Sequence, residues 1–463
     1  MRTSIVFGDR WLDVELPEGA REVDAGVGFK VPAVADLGAE VSAALAKPLD
    51  MPPIAELARG ARKVTIAFDD PTVPCLAPLW EIAIPRVLAE LEQAGVPAEG
   101  VRLLCANALH RKFTHRELAG ILGKAVMSTH GDRVSCHDAE DPDNLIYLGS
   151  TPSGYEVELN RAACESDLLV YVNASSYRGF NGGWKSVCVG LSTWRSIRWH
   201  HTPERMSMSF DRNPLHEVLD EMGALVEHKL GRSRIFKIET VLANPLQVAR
   251  VFAGSVGGAR LAALSLMRAH VRPRREAAQS RADIIVYGVP DWSPYAAYAS
   301  MNPMLTLLST GLGYLGGVIN AAGKPGCTVI LATPCPDRWD EQHHPSYREV
   351  WERVLPACGR DPHAALREHA DDLARRPEYI AAYRDGHGFH GVHPLLGLFP
   401  LTRLRHAARV IVAGIEDPAL ARHAGFEATA TVEDAMDRAL AMHGRGAELG
   451  LVRYPPAFNR KLS

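Results

Sequence analysis

Six short runs of aliphatic and β-branched residues recur along the chain, separated by helix-like stretches. They are KVTIAFDD (63–70), VRLLCAN (101–107), DLLVYVNAS (167–175), ADIIVYGVP (282–290), CTVILATP (327–334) and ARVIVAGI (408–415). Segments such as LWEIAIPRVLAELEQAG (79–95) and TVEDAMDRALAMHG (431–444) are amphipathic at helical spacing. Buried strands alternating with helices predict an α/β fold with largely parallel sheets flanked by helices. At 463 residues the chain is long for one core, so two domains are expected. The basic helical stretch 259–283 parts two sets of strands and puts the boundary near residue 275, giving 1–275 and 276–463. The VRPRRE run within it reads as a solvated helix face or linker. Several strands end in polar or small residues: Asp69-Asp70, Asn107, Asn173 to Ser176, and Pro290-Asp291. Ligands of open α/β sheets sit at such carboxyl ends, and the expected ligand site is the cleft between the two domains.

Composition narrows the function classes. The formal net charge is −3, and no segment collects lysine and arginine without acids nearby. That argues against nucleic acid or an anionic membrane as the main partner. No run of about 18 apolar residues occurs, and the opening MRTSIVFGDRWLDVELP has no apolar signal core. Eight cysteines are scattered without a C-x-x-C pair, as reduced thiols in a cytoplasm would be. The expectation is a soluble cytoplasmic protein acting on a small molecule.

GFNGGWKSVCVGL (179–191) sets a lysine and a serine behind three glycines, yet Trp184 stands between Gly183 and Lys185. A P-loop needs its lysine directly after the last glycine, and a one-residue shift turns it about 100° around the helix. Lys185 therefore needs another explanation. GLGYLGG (311–317) matches G-x-G-x-x-G but follows a helical stretch instead of a strand, so close packing or a turn accounts for it. In ALHRKFTHREL (108–118), His110 stands at a strand's carboxyl end, placed either for proton transfer or as a structural hydrogen-bonder. His115 reads as a cap or a solvent-facing residue. In FDDPTVPC (68–75), Asp70 and Thr72 suit either a hydroxyl or phosphate ligand or a plain turn. His200 and His201 in RWHHTPE lack the spacing of zinc motifs, though one of them suits a cofactor that brings its own further ligands. The same dipeptide in EQHHPSYRE (341–349) reads as surface. No G-x-S-x-G elbow and no H-E-x-x-H occur, which leaves hydrolase readings without support.

Taken together these pieces resemble the lactate racemase family, whose members carry a nickel-pincer nucleotide. The resemblance runs from the IVFGDRWLDVELP strand pair through KPLDMPPIAELARGARKVTIAFDDPTVP, ALHRKFTHREL, GFNGGWKS with its following HH, and GKPGCTVILATPCPD. It implies that Lys185 is the covalent anchor of a pyridinium mononucleotide, joined through a thioamide. It implies that His201, in preference to His200, completes a planar nickel site with two sulfurs and a ring carbon of the cofactor. Planar four-coordination suits nickel(II). Gly182 and Gly183 would let the backbone lie against the cofactor, and Asp70 and Thr72 fall in a cofactor-contacting D-x-T segment. His110 would take the hydroxyl proton of a 2-hydroxy acid during reversible hydride transfer. The implied partners are the substrate and the cofactor's biosynthetic proteins.

Three departures bear on the substrate. Where the family has a second catalytic histidine this chain has Ser175, and where it has a carboxylate-binding arginine this chain has Val73. The stretch VPDWSPYAAYASMNP (289–303) holds neither the glutamine nor the lysine of the family pattern. Serine does not replace histidine as a base at neutral pH, and no other side chain matches the arginine fork. A larger or less acidic hydroxy compound, such as a sugar acid, is the expected substrate. Tyr177, Arg178 and His200 are the candidates for the missing group. The alternatives are a one-base relative that keeps the cofactor, or a ligand-binding protein without it.

Overall fold

The structure is a computed structural model that describes residues 1–22, 31–175, 180–206, 213–270, 281–314, 319 and 322–452. The strands, in chain order, begin with β1 (Arg2–Phe7), β2 (Arg10–Glu15) and β3 (Arg21–Glu22). Next come β4 (Val64–Asp69), β5 (Val101–Ala106), β6 (Val134–Cys136), β7 (Leu145–Ser150), β8 (Glu156–Asn160), β9 (Leu168–Ser175), β10 (Ile235–Asn244) and β11 (Gln247–Gly254). The last are β12 (Ala282–Gly288), β13 (Gly323–Ala332), β14 (Ala407–Ala413), β15 (Glu427–Thr429) and β16 (Leu449–Val452). All six strand-like runs read from the sequence form strands, and both named amphipathic segments form helices, Leu79–Gln93 and Val432–His443.

The chain folds as two compact units that are not the two continuous blocks expected. A central unit comprises Lys30–His270 and Ile380–His390; a terminal unit comprises Met1–Phe29, Val271–Tyr379 and Gly391–Ser463. The N-terminal strands join the terminal unit because their hydrogen-bonding partners lie there. β3 pairs in parallel with β16, Arg21 opposite Gly450, and an isolated bridge joins Gly8 to Pro290. The VRPRRE run lies outside the described residues.

The central sheet has the order β11-β10-β9-β4-β5-β6, parallel except for the β10–β11 pair. Its core is built on one face of these continuous apolar strands, where Ile66, Phe68, Leu103, Val170 and Val172 are all fully buried. Each such side chain contributes roughly 1.5–3 kcal/mol relative to an exposed one. The terminal sheet, β15-β14-β13-β12-β16-β3, is parallel throughout. Gly311 of GLGYLGG lies inside the helix Leu305–Tyr314, against Thr306 and Leu331, so it packs closely instead of opening a nucleotide loop. His344 of the second HH pair is buried, its Nε2 2.8 Å from the Tyr295 carbonyl. That corrects the surface reading: a polar ring is tolerated inside where a backbone group satisfies it. No helix among the described residues is long and apolar enough to cross a membrane.

Candidate functional site

The order of the central sheet marks one place where loops diverge. From β4 the chain steps to β5 and β6 on one side, while β9 leads to β10 and β11 on the other. The carboxyl ends of β4 and β9 therefore flank a topological switch point, where open sheets leave a crevice. Phe68 of β4 pairs with Val172 and Asp69 pairs with Ala106 of β5, so Asp70, Asn107 and Asn173 to Ser175 emerge together.

Asp70, Thr72 and His110 meet here. His110 Nδ1 lies 2.8 Å from Asp70 Oδ2 and 3.1 Å from Thr72 Oγ1, and the Thr72 hydroxyl donates to Asp70 Oδ1 at 2.6 Å. An ionised carboxylate only accepts, so the imidazole proton sits on Nδ1 and Nε2 is the ring's basic nitrogen. The Asp70 side chain is 3% exposed and that of His110 23%, so solvent and ligands reach the ring but not the carboxylate behind it. The turn that presents His110 is tight. His110 N–H donates to the Asn107 carbonyl at 2.7 Å, Asn107 Nδ2 donates to the His110 carbonyl at 3.0 Å, and Ala108 takes a φ of 49°.

Two neighbours of His110 in sequence are structural. The buried Arg111 grips Glu117, which closes a capping box with Thr114 at the start of the helix His115–His130. The exposed His115 ring touches the Val134 carbonyl at 3.1 Å. The return segment Ile380–His390 braces the same turn. Tyr383 donates its hydroxyl to the Ala108 carbonyl at 2.9 Å, and His390 N–H donates to Leu109 at 3.0 Å. Phe389 is thereby set 5.7 Å, ring to ring, from His110.

Lys185 opens the short helix Lys185–Gly190. It is half-buried, with Nζ 4.5 Å above the Phe180 ring and 3.3 Å from Asn181 Oδ1. Burial pushes its ammonium down to about 8, against the opposing pull of Asp69 and Asp70. The loop before it is anchored by a buried anion. Glu239 of β10, with no exposed surface, accepts from Gly183 N–H at 2.7 Å and from the Ser175 hydroxyl at 3.1 Å, and pairs with Arg260 at 3.3 Å. Gly182 and Gly183 have φ of 92° and 56°. A β-carbon at 182 would run into Glu239 and Ser175, and one at 183 would press on Arg260. The glycines make room for the protein's own side chains.

Ser175 is fully buried, accepts from Asn173 Nδ2 at 3.2 Å, and spends its proton on Glu239. Val73 is half-buried and packs against the apolar core. Tyr177 and Arg178 lie outside the described residues. His200 and His201 follow the helix Trp194–Ile197, and both N–H groups point back to the Ile197 carbonyl. His200 is fully buried and held well down, to about 3, first by burial and then by the Lys185 charge. His201 is 9% exposed.

Sequence reading missed a second layer beneath Lys185. Lys237 of β10, fully buried, bonds Ser186 and lies 4.4 Å above the Tyr171 ring. Tyr171 donates to Asp69 Oδ1 at 3.0 Å, and Ala174 N–H donates to Oδ2 at 2.8 Å. Burial raises Asp69 and lowers Lys237, each toward its neutral form, and their mutual attraction opposes both shifts. The alternation of Lys237 and Glu239 within an apolar strand was the available signal.

The donor set suits the group that the resemblance implies. An amine at about 8 is roughly one-tenth free base at pH 7, and so competent for an amide-type linkage. The neighbouring His200–His201 pair offers imidazole nitrogen of the kind nickel takes.

Residues 7–210 match the family model described as the lactate racemase N-terminal domain. Over 228 residues the chain is 28% identical to the lactate racemase of Lactiplantibacillus plantarum, covering 47% of this chain and 51% of that enzyme. The chain thus spans about half the length of that curated relative. It is 26% identical to the lactate racemase of Thermoanaerobacterium thermosaccharolyticum over 356 residues, 72% of this chain and 76% of the relative. The solved apoprotein of the lactate racemase from Thermoanaerobacterium thermosaccharolyticum has a TM-score of 0.67 and 18% identity, over 100% of both chains, a likeness of fold. On these matches the chain is similar to lactate racemases, in sequence over its N-terminal part and in fold over its whole length.

Proposed function

We propose that this chain is a racemase or epimerase of a chiral hydroxy compound, a 2-hydroxy acid or a sugar-acid-like molecule. In this reading it holds a nickel-pincer nucleotide through Lys185, with His201 as the protein's nickel ligand. When bound, that group supplies a hydride acceptor and donor. The observation that carries the reading is the Asp70–Thr72–His110 arrangement at the same strand ends as a half-buried lysine of depressed basicity.

The chain's own residues do the proton work. His110 Nε2 takes the substrate's hydroxyl proton across about 2.6–3.2 Å and returns it later. Asp70 stabilises the imidazolium that forms and holds the ring in the tautomer required. Thr72 keeps the second oxygen of Asp70 occupied, so the carboxylate does not turn away. Phe389 packs its ring 5.7 Å from that of His110. Val73 gives no cation for a carboxylate, which favours a substrate recognised mainly through hydroxyls. Loading would require the cofactor's biosynthetic proteins, and we place the chain in a reducing cytoplasm, where its eight cysteines stay free.

A second reading, one-base redox or rearrangement chemistry, is favoured by Ser175, whose hydroxyl is committed to Glu239. His110→Gln tests the shared core. Turnover should fall by about 10²–10⁴-fold while nickel and the lysine adduct remain; unchanged turnover would remove His110 from the reaction.

A further inference from the structure

Cys358, Glu368 and His369 of the terminal unit bring three different donors together. The Cys358 Sγ, a carboxylate oxygen of Glu368 and a ring nitrogen of His369 all lie within 4.8 Å of one another. Among the described residues this is the one such group of three histidine, cysteine or acidic donors. A tight turn sets it up. Cys358 follows the helix Leu355–Ala357, and Gly359 and Arg360 turn the chain back with φ of 58° and 62°. Asp361 then caps the helix Pro362–Arg375 by accepting from His363 N–H at 3.0 Å, and its own N–H donates to the Cys358 carbonyl at 2.9 Å. Arg360 Nε donates to the His423 carbonyl at 2.9 Å, which pins the turn to a neighbouring segment. The thiol is thereby fixed near the helix that carries Glu368 and His369 in succession.

The chemistry of the set selects its ligand. A thiolate and a carboxylate together carry two negative charges, which a divalent cation neutralises, and the imidazole adds a neutral nitrogen. Sulfur beside nitrogen suits zinc, whereas calcium and magnesium take oxygen ligands, several at a time. Donors on one tetrahedral zinc lie about 3.3–3.8 Å apart, given bonds of about 2.0–2.3 Å. Closing to that spacing takes about 1 Å, which side-chain rotation supplies. Glu368 is exposed, and its carboxylate accepts from Arg367 Nη2 at 2.7 Å. An ion pair that exposed is weak and does not hold the carboxylate back. Cys358 and His369 are half-buried, so an ion from solvent reaches both.

We propose that Cys358, Glu368 and His369 form a binding site for a zinc-like divalent cation, with the fourth position left to solvent. Bound there, the ion ties the turn to the helix that follows it and stabilises the folded chain. The site is independent of the proposed function, since Lys185 and His201 belong to the central unit and neither is needed for it.

The probe is cobalt(II), a spectroscopic stand-in for zinc, added to reduced, chelator-treated full-length protein. The expected result is about one equivalent bound per chain, with sulfur-to-cobalt charge-transfer absorption that zinc displaces. Cys358→Ser should abolish the absorption, and His201→Gln should leave it unchanged. Glu368→Gln and His369→Ala, on the surface of a helix, should each weaken binding by at least about 10–100-fold, the cost of losing even a supporting group. Six of the other seven cysteines are buried and Cys136 is half-buried. A band that survives Cys358→Ser therefore comes from elsewhere and overturns the proposal. Unaltered binding in Glu368→Gln or His369→Ala overturns it too, as does the absence of any such band in the unaltered protein.

Discussion

At Lys185 two effects oppose each other. Asp69 and Asp70 favour the ammonium, burial disfavours it, and burial wins, bringing the group from 10.5 to about 8. The consequence is measurable on apoprotein. Competitive acylation of Lys185, followed peptide by peptide, should rise through a midpoint near 8, since only the free base reacts, while exposed lysines rise near 10.4. A midpoint above 10 would mean that the two aspartates dominate. The His110 triad makes a related point about legibility. Asp70 and His110 are 40 positions apart and each had a bland reading, as turn and as structural hydrogen-bonder. What joins them is the register of β4 against β5, which places Asp69 beside Ala106. Pairing between two strands does not show in either segment alone.

Among the elements, β4, β5 and β9 were legible because continuous aliphatic runs have few alternatives to buried parallel strands. β10 was not read as a strand. Its Lys237 and Glu239 break the apolar run, although neither has any exposed surface. A charge in a strand suggests a solvent face, and only the partners Ser186, Arg260 and Gly183 explain why these two are inside. Gly182 combines a positive φ with a β-carbon position already filled by Glu239 and Ser175. Gly182→Ala should therefore destabilise the apoprotein itself, by about 1–3 kcal/mol in urea denaturation. A variant as stable as the parent, yet unable to take the cofactor, would return the glycine to its expected role against the ligand.

For the whole molecule, two large units were legible from length and from the two sets of strands, while their make-up was not. β1 to β3 belong with strands from the far half of the chain, Arg21 of β3 pairing with Gly450 of β16, and Ile380–His390 returns to the central unit. Composition carries no trace of either excursion. The second brings Tyr383, Phe389 and His390 to the turn that holds His110. In the proposed reading, the departures at Ser175 and Val73 change the substrate side and spare the lysine and the histidine pair. The central proposal is thus that this chain carries a lysine-linked nickel cofactor. The measurement that tests it most directly is the intact mass and metal content of protein made alongside the cofactor's biosynthetic enzymes. The account predicts a covalent adduct that maps to Lys185 and about one nickel per chain, as a single planar site requires. Unmodified, nickel-free protein, under conditions that load a lactate racemase, would contradict it.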